Sequence, residues 1–263
     1  MLAMIKLSIV TVCWNAEKEI VETLRSVFSQ NYTNYEYVVV DGGSTDNTVN
    51  TILSIAKECG KEDCLVLTSE KDNGIYDAMN KGIIKSTGNW VVFMNAGDTF
   101  YDNNVLCNVA TILDKSSADI VYGNNCYTEN NTQYIYNAKD IHFITKGMPF
   151  CHQSVFNRRD SIIKYMYNTD FKICADYELY FRMYHNGAVF EKIDTIICNY
   201  MIGGFSFQSP QVLVRESLAI RHIYSNLHCI SLRYYLTMIT VYINRFLKTI
   251  LPQAIVKWIK ENA

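Results

Sequence analysis

From Leu7 to Asp98 the chain alternates between two hydrophobic patterns. Leu7 to Cys13, Tyr35 to Val40, Cys64 to Thr68 and Trp90 to Met94 are short runs rich in apolar and β-branched residues, suited to strands buried on both faces. Between them, apolar positions recur at helical spacing. Ile20, Leu24, Val27 and Phe28 form one stripe, Val49, Ile52, Leu53 and Ala56 a second, and Ile75, Ala78, Met79 and Ile83 a third. Asn15 is a candidate cap for the first helix, and Asp72 or Asn73 for the third. A close near Gly60 is expected for the second helix, and Gly88 suits the C′ position of the third. This order, β-α-β-α-β-α-β, predicts an α/β fold with a doubly wound, mostly parallel sheet.

The pattern then loosens. Asp102 to Leu113 reads as a helix, and Ile120–Tyr122 and Tyr134–Tyr136 as short strands around the polar turn Thr128–Thr132. A helix is expected from about Asp176, with Leu179, Tyr180 and Met183 inward, followed by strands at Val189–Ile193 and Thr195–Tyr200. Gly203–Ser206 reads as a connector, and from Pro210 the chain becomes helical. Between residues 229 and 263, Arg233, Arg245, Lys248, Lys257 and Lys260 face a single acid, Glu261. Leu232, Tyr235, Leu236, Ile239, Tyr242, Ile243, Phe246 and Leu247 recur at helical spacing among them, and after Pro252 the pattern resumes through Ile255, Val256, Trp258 and Ile259. A basic amphipathic helix of this kind suits a membrane interface. The same pattern also serves a helix docked on its own core, or a contact between copies.

At 263 residues and 49% hydrophobic content, the chain has enough material for one sizeable core and an appendage. The net charge of -2 gives no sign of a nucleic-acid partner. Nine cysteines without a CxxC pair argue against a disulfide framework or zinc module and fit a reducing cytoplasm. Neither a signal peptide nor an apolar run long enough to span a bilayer is expected.

A dinucleotide-binding fold would show the same alternation. Its first turn needs glycines, and here that turn is Cys13-Trp14-Asn15-Ala16. No Walker A sequence is present either, so a nucleotide diphosphate would need a metal ion to hold it. The fourth strand ends in Asn95-Ala96-Gly97-Asp98, which presents a carboxylate where open α/β sheets bind ligands. Taken alone, an Asp after Gly is an ordinary turn residue.

Several motifs in order carry more weight. Ser8-Ile-Val-Thr-Val, Val38-Val-Val-Asp-Gly-Gly-Ser-Thr-Asp46, the run from Ser69 through Gly82, Asn95–Asp98 and Ala175-Asp-Tyr-Glu-Leu179 together resemble the inverting family 2 glycosyltransferases of the GT-A fold. Many of these are bacterial and build O-antigen, capsule and exopolysaccharide. The resemblance covers most of residues 5 to 205. It implies a GT-A domain over 1–210, with a nucleotide-sugar half (1–98) and a smaller, mixed acceptor-side half (99–210), followed by a helical extension over 211–263. It also implies transfer of a hexose, with UDP-glucose or UDP-galactose favoured as donor, to a lipid-diphosphate-linked saccharide. The enzyme would be cytoplasmic and peripherally attached to the inner membrane through the C-terminal helix.

Such a transfer must neutralise a leaving diphosphate and deprotonate an attacking hydroxyl. Asp98 is the expected ligand for Mn²⁺ or Mg²⁺, although Asn95 and Gly97 stand where many relatives carry a second acid. Asp176 is the expected general base, with Glu178 the first alternative; capping of the helix is the plainer role for Asp176. Asp41 and Asp72 are candidates for the base and ribose, with Thr11 and Asn15 contributing from the first strand end. Lys81 is a candidate for a phosphate, and Asn95, Ala96 and Gly97 for the nucleotide sugar. His152 and Gln153 are candidates for the pocket wall. A binding module with a decayed site and a nucleotidyltransferase are the competing readings. The retained Asp41, Asp98 and Asp176 argue against decay, and the lack of a Gly-rich basic first loop argues against nucleotidyl transfer.

Overall fold

β1 (Leu7–Cys13) is buried at every position, and its alternating side chains feed two different cores. Leu7, Ile9 and Cys13 pack with Ile20 and Leu24 of α1 (Glu19–Phe28) and Ile52 of α2 (Thr48–Glu58). Val10 and Val12 pack with Met79 and Ile83 of α3 (Ile75–Lys85) and Leu179 of α6 (Ala175–His185). β4 (Trp90–Phe93) divides in the same way, with Trp90 and Val92 in the first core and Val91 and Phe93 in the second. A strand covered on both faces has no solvent side, which is why these runs are apolar throughout.

The computed structural model describes residues 5–129, 132–200 and 209–224. Along the sheet the strand order is β3-β2-β1-β4-β8-β6-β9-β5, and β7 (Thr132–Tyr136) pairs with β6 (Ile120–Glu129) off this path. β2 (Tyr35–Asp41) and β4 flank β1 in parallel, and β3 (Leu65–Ser69) runs parallel to β2. The second half is mixed. β8 (Val155–Arg158) is antiparallel to both β4 and β6, β9 (Phe190–Tyr200) is parallel to β6, and β5 (Thr99–Phe100) is antiparallel to β9. α4 (Val105–Leu113) packs in the first core; α5 (Arg159–Tyr165) and α7 (Pro210–Tyr224) contribute Ile162 and Ile220 to the second. The expected parallel half and mixed half are both present.

Local details differ from expectation. Leu53 is exposed and Ile55 takes its place inside; Ile75 is exposed and the larger Tyr76 is buried beside Ala78 and Met79. α4 starts at Val105, because Asp102 instead accepts from the backbone N–H of Asn104. The two short strands expected after Val189 are one, β9.

Three expected caps do other work. Lys18 precedes α1 without a side-chain cap, while Asn15 accepts from the N–H of Thr45 at 2.9 Å. Gly74 precedes α3, Asp72 accepts from the Gly74 N–H at 2.9 Å, and Asn73 donates its own N–H to Asp77. Gly88 lies beyond the end of α3 at a close approach: a Cβ there would stand 2.7 Å from the backbone nitrogen of Ser8. Gly60, at φ +62°, does close α2 as expected. Residues 201–208 and 225–263, which hold the Gly203–Ser206 connector and the basic amphipathic segment, lie outside the described residues.

The turn into β4 is tied down by a carboxylate that the sequence pattern did not single out. Burial works against the charge of Glu36, but Glu36 accepts from Lys6 Nζ at 2.7 Å, Ser8 Oγ at 2.6 Å and Thr87 Oγ1 at 2.6 Å. These bonds outweigh burial and hold its carboxyl at about 2. β1, β2 and the start of β4 are thereby fixed together at the end opposite the cavity described next.

Candidate active site

A cavity of about 610 Å³ opens beyond the carboxyl ends of β1 and β4. Trp14 and Asn15 from the first strand end, Asn95, Ala96 and Asp98 from the β4 turn, and Cys151, His152 and Gln153 from a short 3-10 turn line it. Asp176 of α6 and Tyr200 at the end of β9 complete the wall. A second compartment of about 420 Å³ shares Val12, Cys13, Trp14, Ile75 and Tyr76 with it and extends past Asp72 to Phe171.

The β4 turn is built to aim Asp98. Gly97 takes φ +98°, which a side chain would disfavour. Its N–H donates to Thr23 Oγ1 at 3.0 Å, and the same hydroxyl donates to the Asp98 carbonyl at 2.8 Å. α1 therefore fixes the turn from behind. The Asp98 side chain is nearly enclosed, and its Oδ2 accepts from Gln153 Nε2 at 2.6 Å.

Asp176 is the second residue of α6, so it is not the N-cap, which is Cys174. Its Oδ1 accepts from the N–H of Tyr177 at 2.7 Å, and its Oδ2 stands 3.6 Å from His152 Nδ1. The other imidazole nitrogen, Nε2, is 3.1 Å from Asn95 Nδ2. One chain of contacts thus runs Asp176–His152–Asn95, and Gln153 beside His152 reaches Asp98. Burial pushes the Asp176 carboxyl above its ordinary range, against the pull of His152. Burial also holds the His152 imidazole below its ordinary value, against the pull of Asp176. Burial thus favours the uncharged form of each group, and the two groups' mutual attraction favours the charged form of each.

The loop before α6 is held from outside the cavity. Glu216 of α7 accepts from three successive backbone N–H groups, Lys172 at 2.8 Å, Ile173 at 2.9 Å and Cys174 at 3.0 Å. Tyr76 donates its hydroxyl to the Ile173 carbonyl at 2.5 Å. Glu178, the alternative base, is buried away from the cavity, where Arg182 Nε donates to it at 2.8 Å and Tyr224 donates its hydroxyl.

The other candidate residues separate into two groups. Asp72 lines the smaller compartment and Asn15 the larger, the latter with φ +47°. A Cβ on Gly42 would collide with Asp72 Oδ2, so that glycine lets the carboxylate lie where it does. Asp41 and Thr11 are fully buried behind the wall. Asp41 accepts from the Ser44 N–H at 2.9 Å and from Ser69 Oγ at 2.6 Å, while Thr11 donates to the Met94 carbonyl at 2.6 Å. Lys81 pairs with Glu70 at 3.2 Å and Asp77 at 3.5 Å and is not part of either wall. Sequence reasoning missed Trp14, Tyr76, Tyr200 and Glu216. Tyr76 lay inside a motif already quoted, whereas Glu216 and Tyr200 had no local signal.

Among the described residues, no three His, Cys, Asp or Glu side chains gather into a metal-binding group. Asp98 offers one hard oxygen donor at a cavity wall. That set fits a divalent ion completed by phosphate oxygens and water rather than a cage made by the protein alone.

The sequence profile of Glycosyl transferase family 2 matches residues 8–193, spanning β1 into β9. The chain belongs to this family. It is 31% identical over 187 residues to the PGL/p-HBAD biosynthesis glycosyltransferase of Mycobacterium bovis, covering 70% of this chain and 72% of that one. A second relative is the UDP-Glc:alpha-D-GlcNAc-diphosphoundecaprenol beta-1,3-glucosyltransferase WfgD of Escherichia coli, 30% identical over 125 residues, 48% of this chain and 47% of that one. Among solved structures, S. aureus TarS 1-349 in complex with UDP-GlcNAc superposes with a TM-score of 0.66 at 18% identity, over 92% of this chain and 73% of that one. The mannosyltransferase PcManGT from Pyrobaculum calidifontis, in complex with GDP-Man and Mn2+, gives 0.66 at 16% identity, over 97% and 79%. The family 2 glycosyltransferase therefore has the GT-A fold, and it is a transferase.

Proposed function

We propose that this glycosyltransferase moves a hexose, glucose or galactose, from its UDP derivative to a lipid-diphosphate-linked saccharide, with inversion, in the assembly of a bacterial surface polysaccharide. The observation that carries the reading is the placing of Asp98 and Asp176 on one cavity wall, joined through His152 and Gln153. The two carboxylates have separate environments, as two separate tasks require. The name of the Escherichia coli relative, with UDP-Glc and a diphosphoundecaprenol acceptor, supports the donor and acceptor classes.

In this reading residues 1–98 hold the donor. The compartment between Trp14, Tyr76 and Asp72 suits a flat nucleobase and ribose, with the Asp72 carboxylate as acceptor for their N–H or O–H groups. Thr11 and Asp41 support that wall from behind. Asp98 would hold the divalent ion, Mn²⁺ or Mg²⁺, with the donor's diphosphate. When bound, that ion would supply Lewis-acid stabilisation of the departing diphosphate. Gln153, bonded to Oδ2, orients the Asp98 carboxylate. Asp176, as the carboxylate, takes the proton of the attacking hydroxyl, and attack opposite the leaving group inverts the anomeric centre. Residues 99–210 present the acceptor, and the basic segment that follows, with Arg233, Arg245, Lys248, Lys257 and Lys260, holds the enzyme against the cytoplasmic face of the inner membrane. Among the described residues no helix is long and apolar enough to cross a membrane.

Release of UDP from a panel of UDP-sugars, with a lipid-diphosphate-linked N-acetylhexosamine as acceptor, tests the reading. Turnover with UDP-glucose or UDP-galactose above the other donors is expected. Equal inactivity with every nucleotide sugar would favour a binding module.

A further inference from the structure

Tyrosine is abundant in this chain, with 19 residues, and of these the donor site described above uses only Tyr76. Three of them stand in register across three adjacent strands. Tyr127 of β6 is the direct partner of Tyr200 on β9 and of Tyr134 on β7. Directly opposed residues project from the same face of a sheet. The Tyr127 and Tyr134 rings stack, with centroids 5.3 Å apart and planes 18° from parallel. Tyr200 lines the cavity that holds Asp98 and Asp176.

The direction of this face is fixed by a neighbour. Cys198 lies two residues before Tyr200 on β9, so it shares the face. Its Sγ is 3.2 Å from Ser154 Oγ, in the 3-10 turn that also carries His152 and Gln153. The tyrosine row therefore starts at the catalytic wall and runs outward to the β6–β7 hairpin, where Tyr134 is 44% exposed. Strand columns are about 4.8 Å apart, so the row is roughly 10 Å wide at the backbone. That is about the length of two linked pyranose rings.

We propose that Tyr200, Tyr127 and Tyr134 form an acceptor subsite that binds the sugar rings next to the accepting hydroxyl. The C–H face of a pyranose is apolar and weakly positive, and it matches the negative face of an aromatic ring. The phenolic hydroxyls at the ring edges add donors and acceptors for sugar hydroxyls. A nucleotide donor does not need this row, because its diphosphate is directed to Asp98 and its base to the Asp72 compartment. The row also starts at the cavity that Asp176 lines, where the nucleophile must arrive. This inference rests on the glycosyltransferase reading and deepens it.

Tyr134→Ala is the test, because that ring is exposed and its loss leaves the core intact. The KM for lipid-diphosphate-linked di- and trisaccharide acceptors is expected to rise about tenfold, while the KM for the UDP-sugar and the slow hydrolysis of donor without acceptor stay unchanged. Tyr134→Phe should restore most of the acceptor affinity, since it keeps the ring. An unchanged acceptor KM in Tyr134→Ala, or a rise equal for acceptor and donor, would overturn the subsite. Absence of any sugar transfer by the unaltered enzyme would instead overturn the glycosyltransferase reading itself, so the two failures are distinct.

Discussion

His152 Nδ1 stands 3.6 Å from Asp176 Oδ2, and each group shifts the other's ionisation against the effect of burial. The carboxyl is raised by burial and lowered by the imidazole; the imidazole is lowered by burial and raised by the carboxylate. In His152→Gln the downward pull of the imidazole is gone and only the backbone hydrogen bonds still oppose burial, so the Asp176 carboxyl moves further up. The acid limb of the kcat profile is therefore expected to shift to higher pH. A histidine that only fills space would lower kcat equally at all pH values and leave the limb in place. A pH series on this variant, with melting temperature as control, separates the two.

Asp98→Ala tests the metal. The side chain accepts from Gln153 at 2.6 Å and offers the one carboxylate of the β4 turn. Loss of activity by about three orders of magnitude is expected, since metal-centred charge stabilisation supplies several kcal/mol. Equal activity of the unaltered enzyme in EDTA and in Mn²⁺ would remove the metal from the account.

Glu216 is expected to act on Asp176 through the loop between them. It accepts three consecutive N–H groups directly before α6. Hydrogen bonds to a charged group are strong, and Glu216→Ala should cost on the order of 3 kcal/mol, or about 10 °C in Tm. Since α6 carries the base, kcat should also fall while the donor KM is kept. Stability loss with kcat intact at a temperature well below Tm would make Glu216 a packing residue only.

The C-terminal extension is expected to bind anionic membranes through Arg233, Arg245, Lys248, Lys257 and Lys260. Near an anionic surface each such charge contributes about 1 kcal/mol. Sedimentation with phosphatidylglycerol vesicles should disappear when all five are changed to Gln, and should weaken with salt. Indifference of the full chain to such vesicles would favour docking or self-association.

The strands of the donor half were readable because burial on both faces leaves an unmistakable apolar run, as in Trp90–Phe93. Asp98 and Asp176 were readable because short motifs carried them; they line one cavity together with His152 and Gln153, which stood as candidates for its wall without such a motif. Spacing was weaker wherever a contact distant in sequence decided the outcome. Gly88 follows a helix and looks like a terminator, but it is small because Ser8 lies against it. Asn15 looks like a cap, but the loop at Thr45 claims its side chain. Thr11 and Asp41 lie on strands whose ends open at the cavity, yet their hydrogen bonds turn them into the scaffold. Glu216 is 40 residues beyond Asp176, and helical periodicity holds no hint that its carboxylate reaches the start of α6. Tyr200, Tyr127 and Tyr134 are related by strand register alone, which a sequence pattern does not display.

Asp176→Asn tests the central claim most directly. Asn has the shape of Asp and keeps an oxygen for the Tyr177 N–H, so the start of α6 should be preserved. It lacks the basic site. General base catalysis contributes about 10²- to 10⁴-fold, and kcat should fall by that factor while UDP affinity and melting temperature stay close to those of the unaltered enzyme. A near-normal kcat in this variant would contradict the account, because the base would then lie elsewhere.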